Sequence, residues 1–146
     1  MKKEQARFFD MHSLEYAVSI LSANNSTIAA VSGDDVFTSK ERGVKPLLHL
    51  LSEKKGFLKG ASVADKVIGK AAALLLVLGE IKEVHSRIIS EPAIQVFENH
   101  HVSFFFDKKV TRIANRTSDG LCPMETLCLN VNDPKEAFEK ILRKFD

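Results

Sequence analysis

Two β-prone apolar runs, 84–89 and 102–106, flank a segment that opens Ser90-Glu91-Pro92 and continues through Ile94, Val96 and Phe97 at helical spacing. Proline suits the first turn of a helix and breaks its interior, and a serine just before it accepts N–H groups that a helix start leaves unpaired. Strand, helix and strand in so short a stretch predict a parallel βαβ unit with a right-handed crossover. Parallel strands need helices over their faces, so this unit commits the chain to a layered α/β fold. The second run holds Val102, Phe104, Phe105 and Phe106, which predicts a strand covered on both faces.

The rest of the chain supplies the other layers. Residues 1–10 are basic and charged and read as an N-terminal lead, extending to about residue 12. Ser13 is placed to cap a first helix carrying Leu14, Ala17, Val18 and Leu21, which Asn24-Asn25 ends. Runs 27–31 and 36–38 around Ser32-Gly33-Asp34-Asp35 read as a β-hairpin. A helix over 43–55, with Pro46 in its first turn, precedes a glycine-bounded loop at 56–60. Ser62-x-x-Asp65 matches a capping box and predicts a long helix over 62–78, closed by Gly79. Residues 110–114 form a further strand candidate, Cys122-Pro123-Met124-Glu125 a short helix start, and Asp133-Pro134-x-Glu136 the opening of a terminal helix to Phe145. The sum is one domain over 1–146, a three-layer α/β/α sandwich around a mixed sheet.

Composition bounds the function. A chain of 146 residues, 45% apolar and 27% charged, suits one globular domain with a packed core. A net charge of +2, from 21 basic and 19 acidic residues, gives no ground for a nucleic-acid partner. The most apolar stretch, 71–78, is far shorter than the ~20 residues that cross a bilayer, so no membrane partner is expected. Cys122 and Cys128, without a secretory leader, point to a reducing cytoplasm and not to a disulfide scaffold.

In open α/β sheets ligands bind beyond the carboxyl ends of the strands, where helix starts present N–H groups. Ser62, Asp65 and Lys66 stand at one expected helix start, Ser90 and Glu91 at the other. The serines and Asp65 read equally as simple caps. Lys66 and Lys70 share a helix face at i, i+4 spacing, and with Arg42 and Lys45 over them would hold a phosphate or carboxylate, or else form a solvated basic edge. Arg112, Arg116 and the 117–120 loop would extend that pocket. Cys122 precedes Pro123 at a helix start, a setting that activates a thiol as nucleophile, while a buried inert cysteine is the other reading. Cys128, between Leu127 and Leu129, reads as core. No metal is expected: His12, His49, His85, His100 and His101 are scattered, and Cys-x5-Cys lacks further ligands. Phosphate-loop, zincin and serine-hydrolase motifs are absent.

The order hairpin, helix, strand, helix, strand resembles the cytidine-deaminase-like fold, whose zinc enzymes carry His-x-Glu at one helix start and Pro-Cys-x-x-Cys at the next. Laid on this chain, those motifs fall on Val63-Ala64-Asp65 and Pro92-Ala93-Ile94-Gln95-Val96. Val63, Ala93 and Val96 would replace the ligands and cannot bind zinc. Asp65 would stand in the position of the proton-shuttling glutamate. More specifically, Glu41-Arg42-Gly43-Val44-Lys45-Pro46-Leu47-Leu48, the run from Lys59-Gly60-Ala61-Ser62 to Ala71-Ala72-Ala73, Ile89-Ser90-Glu91-Pro92-Ala93 and Cys122-Pro123-Met124-Glu125 resemble a family of prokaryotic proteins with a domain of unknown function. That resemblance covers nearly the whole chain and implies a cytidine-deaminase-like fold without an assigned reaction.

The expected function is a cytoplasmic, zinc-independent, cofactor-free protein that holds a small polar or nucleotide-like ligand between the helix starts at Ser62 and Ser90. Ser62, Lys66, Ser90, Arg42 and Lys45 would bind it; were it an enzyme, Cys122 would be the nucleophile and Asp65 or Glu91 the proton carrier. The alternative is a non-catalytic binding or regulatory module, or a subunit of a homo-oligomer.

Overall fold

The structure is a computed structural model and describes residues 12–114, 120 and 122–145. Helix α1 (Ser13–Ala23) precedes a hairpin of β1 (Ile28–Ser32) and β2 (Asp35–Ser39), then α2 (Lys45–Glu53), β3 (Ser62–Ile68), α3 (Lys70–Leu78), β4 (Glu83–Ser90), α4 (Glu91–Asn99), β5 (Ser103–Val110), the short α5 (Pro123–Leu127) and α6 (Pro134–Lys144). Among the described residues five strands form one mixed sheet in the order β2-β1-β3-β4-β5. β1 is antiparallel to β2 and to β3, whereas β3, β4 and β5 run parallel. The parallel pairing of β4 with β5 across α4 is the βαβ unit read from the sequence.

Among the described residues helix α1 is the one helix on its face of the sheet. Its Ala17 and Leu21 pack on Ala29 and Val31 of β1 and Ala64 of β3, and three of these five residues are alanines that let the helix lie close. The other face carries the main core, where Leu47 and Leu50 of α2, Phe97 of α4 and Ile141 of α6 meet Ile28, Val63, Val84 and Ile89 of the sheet. Central to it is α3, whose residues Ala71 to Leu76 are all buried. A helix apolar all round belongs inside a core, and this one lies under the sheet with α4 and α6 against it. Among the described residues no helix is long and apolar enough to cross a membrane.

Four expectations are corrected. The capping box at Ser62 opens no helix: 62–68 is strand β3, and α3 starts only at Lys70. The strand escaped its period because the alternation is broken. Val63 and Ile68 both face the main core, as do Val84 and Ile89 on β4, and in each pair the spacing is odd. Lys66 and Arg87 are skipped in the β3–β4 register, so an irregularity in both strands carries the shift. Second, β5 is not covered on both faces. It is an edge strand, and Phe105 is 52% exposed. Third, His12 rather than Ser13 caps α1, its Nδ1 accepting the Leu14 N–H at 3.2 Å. Fourth, no strand spans 110–114; Val110 ends β5. The expected N-terminal lead lies, but for His12, outside the described residues.

Candidate functional site

Helix α3 has no cap of its own. Its N-cap is Gly69, which has no side chain to offer. The cap arrives from far along the chain: the Ala71 N–H donates to Glu125 Oε2 at 3.2 Å. Glu125 comes from α5 and is only 7% exposed. A carboxylate at that depth is stabilised by the positive end of the helix dipole and by the N–H it accepts. Gly69 makes the approach possible, because a Cβ there would stand 2.5 Å from Glu125 Oε2 and 2.6 Å from its carboxyl carbon. Gly69→Ala is therefore expected to expel the carboxylate and lower stability by about 1 kcal/mol, the worth of a cap. Chemical unfolding checks it, and Gly69→Ala added to Glu125→Ala should cost almost nothing more, since the two changes remove the same contact.

Beside this cap lies a cleft of about 200 Å³, lined among others by Gly43, Val67, Ile113, Cys122, Met124 and Glu125. Cys122 is half-buried and Cys128 buried, and both are free thiols. Burial first, and the Glu125 charge second, push the Cys128 thiol up to about 11. It stays protonated and inert, as expected of a core cysteine. Cys122 is the thiol that lines the cleft, at the N-cap of α5. That helix has five residues, so its dipole gives the thiol little help.

The cleft lies where β3 ends and α3 begins. One strand over, α4 starts at the end of β4, so the two helix starts that flank the carboxyl ends of the parallel strands are at Lys70 and Glu91. Ser90 is wholly buried and spent on capping: its Oγ accepts the Ala93 N–H at 3.3 Å. Glu91 lies on the surface and pairs with Lys109 at 3.8 Å.

The other expected site residues are dispersed. Ser62 begins β3, at the opposite end of the sheet from Ser90, and its hydroxyl donates to the buried Glu83 at 2.5 Å. Asp65 is in mid-strand, where its carboxylate accepts the Val67 N–H at 3.3 Å. Although its surface is partly exposed, the surrounding protein pushes its pKa up from 3.8 to about 8, against the lowering effect of the Val67 and Lys66 N–H groups. Lys66 donates to Asn25 Oδ1 at 3.2 Å. Lys66 lies in β3 and Lys70 at the start of α3, so they share no helix face; Lys70 donates to the Leu129 carbonyl at 3.1 Å, and Lys45 Nζ lies 5.5 Å from the centre of the Phe145 ring. Arg42 is exposed next to Gly43 of the cleft, Arg112 is exposed, and Arg116 with 117–119 lies outside the described residues. Cys122 is thus brought to a cleft that Glu125 also lines, a residue the sequence showed only as part of a short helix start.

The zinc overlay does not fit. Val63 lies inside a strand and Ala93 and Val96 inside α4, all three apolar and buried. Among the described residues no group of three or more His, Cys, Asp or Glu is arranged to hold a metal ion.

A family model described as a domain of unknown function, DUF1893, matches residues 16–145. The chain is also similar to the crystal structure of TM1506, a DUF1893 family protein from Thermotoga maritima, with a TM-score of 0.84 and 32% identity over 90% of this chain and 89% of that one. No curated protein matches. The family model spans residues 16–145, and a solved member shares the fold over 90% of this chain, so the chain belongs to the DUF1893 family.

Proposed function

We propose that this is a cytoplasmic, metal-independent protein that binds a small polar ligand in the cleft between Gly69, Glu125 and Cys122. The observation that carries the reading is the buried Glu125 carboxylate, set beside a cleft that also holds a half-buried thiol. One of its oxygens takes the Ala71 N–H, so the anion-binding capacity of the α3 start is already filled by the protein's own carboxylate. An anionic ligand would meet repulsion there. The matching ligand donates hydrogen bonds, as an amidine or the amino edge of a nucleobase does. Cys122 lies within the same cleft as the nucleophile of a catalytic version, and the weak dipole of α5 favours plain binding over catalysis.

The two cysteines make the test simple. Alkylation of Cys122 by iodoacetamide should be slowed in a saturable way by acetamidinium or cytidine and left unchanged by acetate, while buried Cys128 serves as the unreactive control. Glu125→Gln should remove the protection. Equal protection by acetate, or none from either donor, would refute the reading. Repeating the alkylation across pH separates the two versions: a thiol reactive at neutral pH belongs to a catalyst.

A further inference from the structure

On the α1 face of the sheet a groove of about 470 Å³ runs between α1 and the β4–β5 edge, within the size range of small-molecule sites. Its walls are apolar: Leu14 and Val18 from α1, and the exposed ring of Phe105 from β5. Among the described residues the polar lining consists of His12, Glu15, Glu83 and His85, with no lysine or arginine.

Hydrogen-bond logic fixes what these groups offer. His12 Nδ1 accepts the Leu14 N–H, so the proton of the neutral ring is on Nε2, which faces Glu83 Oε1 at 3.5 Å. His85 Nε2 lies 3.0 Å from Asp107 Oδ1, and a carboxylate there holds the proton on that nitrogen. His85 Nδ1 is then an enclosed lone pair with no partner among the described residues. Glu83, only 6% exposed, is met by the Ser62 hydroxyl and by His12, and among the described residues no lysine or arginine pairs with it. Glu15 adds an exposed carboxylate at the rim. With the ring protons directed at carboxylates in these tautomers, the described lining of the groove is rich in acceptors and poor in donors.

We propose that this groove binds an amphipathic cation, a primary ammonium on an aromatic or branched apolar body. The ammonium is directed at Glu83 and Glu15, and the apolar body lies on Leu14, Val18 and Phe105. This site is on the opposite face of the sheet from the Cys122 cleft and does not depend on it.

Three probes of matched shape test the proposal on the full chain by amide chemical-shift titration: phenethylammonium, phenethyl alcohol and phenylacetate. Phenethylammonium should shift Val18, His85 and Phe105 saturably and bind about ten-fold more tightly than the alcohol, with phenylacetate weakest. Glu15→Gln, an exposed change that leaves the fold intact, should weaken the ammonium about three-fold and leave the alcohol unchanged. Glu83→Gln should weaken it more, with thermal melting confirming that the variant is folded. Equal affinity for the ammonium and the alcohol, no response to Glu15→Gln, or shifts confined to the Cys122 cleft would overturn the proposal. Failure of all three probes to bind would overturn it as well.

Discussion

Phe97→Ala should lower the free energy of unfolding by about 3–5 kcal/mol, measured by urea titration. Phe97 is the largest fully buried side chain among the described residues, and its ring stacks on Phe104 with centroids 5.8 Å apart and planes at 26°. It joins α4 to β5, and β5 has only one strand neighbour, so its hold on the sheet depends on β4 and on this packing. Removing the ring opens a void that the surrounding helices and sheet cannot close, because both are fixed by other contacts. Since small domains are stable by only about 5–15 kcal/mol, the variant stands at the edge of folding. Phe97→Leu, which keeps most of the volume, should cost much less and remain measurable. A loss below about 1 kcal/mol for Phe97→Ala would show that α4 does not hold β5 in this way.

Asp65→Asn should stabilise the protein, and more so as pH rises. The folded-state pKa is pushed up from 3.8 to about 8, chiefly by burial. Below 3.8 the carboxyl is protonated in both states and contributes nothing. As pH rises above that value the unfolded chain releases the proton while the folded chain keeps it, so the unfolded state gains and stability falls, until the folded group also ionises near pH 8. The native protein should therefore lose stability between those limits through this residue. Asparagine keeps an acceptor for the Val67 N–H without the proton linkage. Its gain is expected to be about 1–2 kcal/mol at pH 8 and close to zero at pH 4, a size that allows for the partial exposure of the side chain. Urea titrations of both forms at the two pH values decide it. An equal effect at both, or destabilisation at pH 8, would sink the account.

Much of the fold was legible because proline and cap residues mark it locally. Pro46, Pro92, Pro123 and Pro134 each stand in the first turn of a helix, and Ser90 and Asp133 accept the N–H groups their helices leave over. The hairpin and the parallel β4–β5 pair followed from turn residues and element order. What failed was decided by distant partners. Ser62-x-x-Asp65 has the form of a capping box, yet Ser62 is satisfied by Glu83 across the sheet and Asp65 by its own strand, while the irregularity at Lys66 hides the strand period. The Phe104-Phe105-Phe106 run reads as interior, but whether a strand ends up at an edge depends on sheet order. Of the candidate site, Cys122 was recognisable from Pro123 beside it. Glu125 was not, because a glutamate on one helix capping another leaves no local pattern; the one trace was Gly69 before an alanine-rich helix.

The reach of Glu125 back to α3 has a consequence for the order of assembly. A chain made from its N-terminus exposes α3 and the strands beside it well before Glu125 has been synthesised. Until then Ala71 has its N–H turned toward an empty cleft, and the most buried helix of the molecule lacks its terminal partner. The segment carrying Glu125 thus acts as a latch that closes only after the sheet and α3 have been made, and a nascent chain halted before it would carry its central helix frayed at the start.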